Sequence, residues 1–362
     1  MIIKSFRAQN FRNIEKCSLE FDGSVNLLLG ENAQGKTNAV EGIYLFARGK
    51  SFRRGDERDL VRFGAEGFNL SIEYEDKDGI NTLEYAVFGR ERRRKKNGYR
   101  ISRASEMIGS FKAVLFCPDD LTLVKGGPEE RREFLNVAIS QCYPSYVNIY
   151  SDYKKALENR NTLLKSASKG FYFDEGELSA WSESLAEYAS HIYVHRKEYI
   201  KKLEVYAKAF MADISDGKES LTMEYKSDIE ADEELDRAKI KEEYSRIFRE
   251  NILKERVAGV TLYGPHREDI VISLNGKDSR VFSSQGQQRS IVLSLKMAEG
   301  EVSRELFSEY PVFLFDDVLS ELDEKRQGFV LSGMKDRQII ITSCEPLRTA
   351  GKVITVSGGK II

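Results

Sequence analysis

Long apolar runs, paired cysteines and charge of one sign are all scarce in this 362-residue chain. No window approaches the roughly 18 uncharged apolar residues of a spanning helix. The residues after Met1 lack a signal peptide's apolar core. A cytoplasmic protein with no membrane partner is therefore expected. Cys17, Cys117, Cys142 and Cys344 have neither disulfide-framework nor zinc spacing, so each reads as small apolar filling in a reducing interior. A net charge of -2 does not announce a polyanion partner, and it does not exclude one either. What matters for such a partner is where the charge sits.

Periodicity divides the chain into three. Residues 1–137 read mostly as strands, including a hairpin around Asp78-Gly79 and the short apolar strand KAVLF before Pro118. Residues 138–256 read as helical. Leu178, Leu185, Ile192, Tyr199 and Tyr206 recur every seven residues, which predicts one long amphipathic helix over about 178–210, and a charged helical stretch follows over 230–256. Residues 257–362 return to strand signals in AGVTLYG, DIVISLNG, YPVFLFDD, RQIIITS and KVITVSGG. The two strand-rich ends are expected to fold together around the helical insertion.

GENAQGKT, from Gly30 to Thr37, carries the chemistry. A phosphate loop needs inward-turned backbone N–H groups, a lysine for the outer phosphates and a hydroxyl for magnesium. Gly30, Glu31, Asn32, Ala33, Gln34 and Gly35 would wrap the phosphates, Lys36 would supply the point charge and Thr37 the Mg²⁺ ligand. A strand before the loop and a helix after it satisfy the context such a motif requires. VFLFDD supplies the second half of an ATPase site. Asp316 ends an apolar strand as the expected Mg²⁺ residue, and Asp317 is the candidate general base. Aspartate is one methylene shorter than glutamate, so slow hydrolysis is expected.

SSQGQQR before a helix-like SIVLSLKMAEG resembles the signature motif of the ABC-type ATPases, in the branch of the SMC and DNA-repair proteins. Ser284, Gly286 and Gln287 match its Ser, second Gly and Gln. By itself the stretch reads equally well as a polar helix cap. FRNI near residue 11, FCPDDLTLVKGGPEERREFLN at 116–136 and GPHREDI at 264–270 extend the likeness over essentially the whole chain, to a family of bacterial replication and repair proteins in that branch.

The resemblance implies an α/β fold: a discontinuous ABC-type P-loop ATPase head with a mainly helical inserted lobe. It implies ATP and Mg²⁺ as cofactors, an ATP-dependent homodimer in which Ser284 closes on the partner's triphosphate, and DNA as ligand, whether single-stranded, duplex or gapped. Recombinase loading with RecR and the RecO pathway is implied by the resemblance alone. Where related ATPases place a histidine, IIITSCEP has Thr342 and Ser343. Asp119 or Asp120 would either approach magnesium or cap a turn. Other readings are a head-only scaffold in another process, or a transporter ATPase subunit.

RERRRKKNGYR is the densest basic run, with Arg90, Arg92, Arg93, Arg94, Lys95, Lys96 and Arg100, and it is expected in a loop where several side chains reach phosphates together. Arg53, Arg54 and Arg58 form a weaker cluster. Read without the resemblance, the run is an ordinary solvated loop. His191 and His195 have metal-compatible spacing, but His195 falls on the apolar seam and reads as a packed histidine. His266 and Arg267 acquire no unique role from physical reasoning.

Overall fold

In the computed structural model the described residues are 1–53, 55–229, 236–333, 336–347, 351–357 and 360–361, so Arg54 lies outside them. In chain order the N-terminal elements are β1 (Ile2–Phe11), β2 (Ile14–Glu20), β3 (Val25–Leu29) and α1 (Lys36–Arg48). They are followed by β4 (Gly67–Asp76), β5 (Gly79–Phe88), β6 (Glu91–Lys96), β7 (Tyr99–Ile101) and β8 (Ala113–Phe116). The middle holds α2 (Pro128–Cys142), α3 (Pro144–Ser168), α4 (Glu175–Ile214), β9 (Leu221–Lys226), α5 (Arg237–Glu250) and α6 (Ile252–Ala258). The remainder is β10 (Asp269–Leu274), β11 (Lys277–Asp278), α7 (Gln285–Phe307), β12 (Val312–Asp316), α8 (Glu324–Gly333), β13 (Ile339–Ser343), β14 (Lys352–Ser357) and β15 (Lys360–Ile361).

One sheet has the order β15-β14-β3-β13-β12-β8. Its members β14, β3, β13, β12 and β8 run parallel, so strands from both ends of the chain interleave. Runs such as VNLLL and VFLFD are apolar except for buried Asn26 and Asp316, because both faces of this sheet are covered. Leu28, Leu314 and Ile340 face α1 and an antiparallel sheet of order β2-β1-β4-β5-β6-β7. Leu27, Phe313, Phe315, Ile339 and Ile341 face α7 and the helical elements. The discontinuous α/β head is therefore built on one sheet with a different core on each side.

Several expectations change. AGVTLYG forms no strand. DIVISL does, but it pairs with β9 and β11 in a separate three-stranded sheet. The helical reading missed β9, although Leu221, Met223 and Tyr225 are buried in strict alternation. The expected helix over 230–256 begins at Arg237 and is interrupted at Asn251, and residues 230–235 lie outside those described. The long helix is longer than its seam suggested, at 40 residues or about 60 Å. No described helix is long and apolar enough to cross a membrane.

GPHRED is a structural hub of the helical side. Tyr153 Oη lies 2.6 Å from His266 Nδ1, and His266 Nε2 is 3.2 Å from the Thr261 carbonyl. Arg196, fully buried, donates to the Pro265 carbonyl at 2.7 Å. Glu268 accepts from Tyr225, Tyr244 and Ser227. His195 packs against Tyr143 and Tyr146, as a core histidine does.

Burial drives the His266 pKa down from 6.5 to about 4. The ring is neutral when folded, so the unfolded chain binds the extra proton between those values. Stability from this group is present above pH ~6.5 and disappears as pH falls towards ~4, up to ~3 kcal/mol in all. Urea midpoints measured from pH 7 to 4 should fall less steeply for His266→Gln than for the parent chain.

Candidate nucleotide site and nucleic-acid interface

The phosphate loop leaves β3 and turns into α1. Gly35, at φ 108, is the helix N-cap in a conformation that strains other residues. Gly30 is required by packing against the neighbouring strand. A Cβ there would lie 2.2 Å from the Val356 carbonyl of neighbouring β14. Glu31, Asn32 and Ala33 are exposed, whereas Lys36 is buried. Its Nζ donates to the Gly30 and Glu31 carbonyls at 2.7 and 2.8 Å and lies 3.5 Å from Cys344 Sγ. A phosphate oxygen would offer this ammonium a stronger, charge-assisted partner.

Asp316 and Asp317 reach this loop because β12 is separated from β3 only by β13. Burial pushes the Asp316 carboxyl up, opposed by hydrogen bonds from the Thr342 and Thr37 hydroxyls. Thr342 Oγ1 donates to Asp316 Oδ1 at 2.9 Å and accepts the Asp317 N–H at 2.9 Å. It therefore sets the geometry of both aspartates. Asp317 is half-buried, with a left-handed backbone at φ 54. Thr37 and Asp316 form an all-oxygen pair suited to a hard cation. Mg²⁺ takes one or two protein oxygens and completes its shell with phosphate and water, so the donor set fits.

A network found by no motif supports the loop from behind. Asn13 donates to the Ala33 carbonyl at 2.9 Å and accepts from Asn38 at 2.7 Å, and Asn38 accepts from Arg53 at 2.9 Å. Glu41, fully buried, is held bidentate by Arg12 at 2.7 and 3.0 Å, with Arg53 at 3.5 Å and the Ser51 hydroxyl. The FRNI stretch is thus a brace for the phosphate loop. Arg53, expected on a DNA surface, is bound into this brace.

Ser284 is the exposed N-cap of α7, and its Oγ accepts the Gln287 N–H at 3.3 Å. Gln287 Nε2 donates to Glu219 at 2.7 Å. The Gly286 carbonyl accepts from Arg326 at 3.1 Å. Asp120 is a turn cap, accepting the Cys117 N–H at 2.8 Å, and it pairs with buried Lys296 at 2.9 Å.

The basic run is a strand, β6, where a loop was expected. Strand alternation splits it between two faces. Arg92, Arg94 and Lys96 sit opposite Val87, Tyr85 and Leu83, whose side chains are buried. Arg92 pairs with Glu57, Arg94 lies 4.9 Å over the Tyr85 ring and Lys96 donates to Ser110. Arg93 and Lys95 point the other way, and Lys95 lies directly opposite Arg100 of β7. Arg90 is exposed in the preceding turn. The run therefore cannot present all its cations together.

Arg12→Ala leaves the buried Glu41 carboxylate without its bidentate partner and should cost about 3 kcal/mol. Arg53→Ala, which removes a more exposed partner, should cost about 1 kcal/mol or less. Urea denaturation of the two variants checks the ordering.

The family model described as the RecF/RecN/SMC N terminal domain matches residues 2–357. "DNA replication and repair protein RecF" of Staphylococcus carnosus is 38% identical over 344 residues, 95% of this chain and 93% of that protein. The Bacillus subtilis protein of that description is 35% identical over 370 residues, spanning all of both chains. A solved structure of "the recombination mediator protein RecF-ATPrS in RecFOR pathway" has a TM-score of 0.93 at 34% identity, covering 99% of this chain and 97% of the other. An SMC head domain from Pyrococcus furiosus, 17% identical with a TM-score of 0.57, shares the fold.

Proposed function

This chain belongs to the RecF family of DNA replication and repair proteins, and from that premise we propose that it is an ATP-gated DNA clamp. The observation that carries the reading is that Lys36 folds onto the phosphate loop while Thr37 and Thr342 both bond Asp316 beside it. Described relatives bind ATP or ATPrS, which supports ATP as the nucleotide here. Residues 30–37 wrap its phosphates, with Lys36 on the outer oxygens. Thr37 and Asp316 would hold Mg²⁺, which neutralises phosphate charge when bound. Asp317, oriented through the Thr342 hydroxyl, polarises the attacking water. The reaction is a weak, DNA-stimulated ATP hydrolysis.

Ser284, Gly286 and Gln287 sit at the start of α7, where a Ser hydroxyl and N-terminal N–H groups favour an anion. In this reading the anion is the triphosphate on a second copy, so ATP binding draws two chains together and hydrolysis frees them. DNA lies on the outward face of β6 and β7, where Lys95 and Arg100 stand side by side. Lys95 is also paired with Glu84 at 3.2 Å, and a phosphate would compete for it while meeting Arg100. Nothing in this arrangement reads bases, so the substrate is a shape, a single-strand gap or its junction with duplex. The protein promotes recombinase loading there, with RecR and RecO as partners.

Lys36→Ala should weaken nucleotide binding by about 10–100-fold and abolish ATP-driven dimerisation. Asp317→Asn should keep nucleotide affinity, slow turnover about 10²–10⁴-fold and accumulate the dimer on DNA. Sedimentation with MgATP and gapped DNA separates these outcomes, and a monomeric Asp317→Asn protein would refute the clamp. Replacing Arg93, Lys95 and Arg100 with Ala should weaken duplex binding and flatten its salt dependence by up to ~3 phosphate contacts. Replacing Arg92 and Arg94 should instead chiefly lower stability.

A further inference from the structure

The far end of the helical lobe carries a feature that the clamp reading leaves unused. α3 starts against the head, where Pro144 packs on Gly109, and its 25 residues carry the chain about 37 Å away. There the loop between α3 and α4 exposes Phe171 at 65% and Tyr172 at 92%. The loop is built to hold this conformation. Gly170 is at φ 72, the Phe171 N–H donates to the Ser166 carbonyl at 3.0 Å, and Arg256 lies 4.8 Å over the Phe173 ring. Phe173 anchors the loop, and its two aromatic neighbours face solvent.

Cations gather at this end. Lys165 and Lys169 flank the loop on α3, and Lys254 lies on α6, which packs beside it; a Cβ on Gly259 would touch Ser168. Among the described residues none of the three lysines meets a carboxylate, and Lys254 donates only to Asn251. Three carboxylates share this end: Asp174 caps α4, Glu175 pairs with Arg256 and Glu177 accepts from the neutral Trp181 indole.

We propose that this tip is a second nucleic-acid contact, specific for single-stranded DNA, in which Tyr172 and Phe171 stack on bases while Lys165, Lys169 and Lys254 face the phosphates. Exposed aromatic rings among unpaired cations meet both requirements of single-strand binding, since every base offers a π-face and every linkage a charge. Duplex DNA keeps its bases stacked on one another and gains only the electrostatic part. The inference rests on the DNA-binding reading above and extends it: the head takes duplex and the arm takes the unpaired strand. That division would let one molecule recognise a junction without reading sequence. Leu253 and Val257, also exposed on α6, make a protein partner the rival occupant.

The test uses the full chain with MgATP and fluorescence anisotropy on labelled oligothymidine, on duplex of equal length and on the RecO–RecR complex. Phe171→Ala/Tyr172→Ala should bind oligothymidine about tenfold more weakly, the loss of one or two stacked bases, with duplex affinity unchanged. Lys165→Ala/Lys169→Ala/Lys254→Ala should lower the salt dependence of oligothymidine binding. Unchanged oligothymidine affinity in both variants overturns the proposal, as does an equal loss on both DNAs. Loss of RecO–RecR binding with oligothymidine binding intact overturns it in favour of a protein dock. The outward β6–β7 variant, scored on duplex, tests the underlying reading separately.

Discussion

Everything at the nucleotide site depends on one strand placement: β3, from the N-terminal end, lies between β13 and β14 from the C-terminal end. Backbone pairing of Leu27 with Ile341 and with Val353 fixes the phosphate loop against the rest of the sheet. With only β13 between them, β3 and β12 bring Thr37 within reach of Asp316 across 279 residues of sequence. The contact requires both ends of the chain, so the site cannot form until they have joined. Gly30 records how close the fit is, since a methyl there would strike the Val356 backbone.

The same sheet is tied to α7, the helix that follows the Ser284 turn. Gly300 of α7 packs on Phe313 of β12 so tightly that a Cβ would lie 2.2 Å from the ring. Arg326 of α8, which follows β12, donates to Ser290 and to the Gly286 carbonyl at the front of α7. Lys296, further along α7, holds the Asp120 turn at the end of β8. Three contacts along one helix tie it to two strands of the sheet. Asp316 and Asp317 are thereby linked to the turn containing Ser284 through packing and hydrogen bonds.

The helical elements are organised around buried polar groups. Arg160 and Glu255, both fully buried, meet at 2.6 Å, and Arg160 also binds Thr261 and Ser182. An isolated charge there would be costly, so each partner requires the other. Together with the GPHRED hub, this pair fixes α3, α4 and α6 relative to one another. The arm that presents the Phe171–Tyr172 loop is stiffened by specific contacts that a purely apolar stripe would not supply.

Local backbone chemistry made much of this legible in the sequence. The phosphate loop, the apolar strand ending in Asp316 and the Ser284 cap each lie within a few consecutive residues, and so do the seven-residue seam of α4 and the Asp78-Gly79 hairpin. Such features are set by neighbours along the chain. The tertiary structure alone decided what depends on pairing between separate elements. RERRRKK has the composition of a solvated loop, yet pairing with β5 makes it a strand and divides its cations between two faces. Arg12 and Arg53 look like surface charges until folding buries Glu41 between them. Thr342 has no evident task until β13 lies beside β12. The deciding partner lies up to 13 residues away for β6, 12 and 29 for the arginines around Glu41 and 26 for Thr342, and neither composition nor periodicity carries that register.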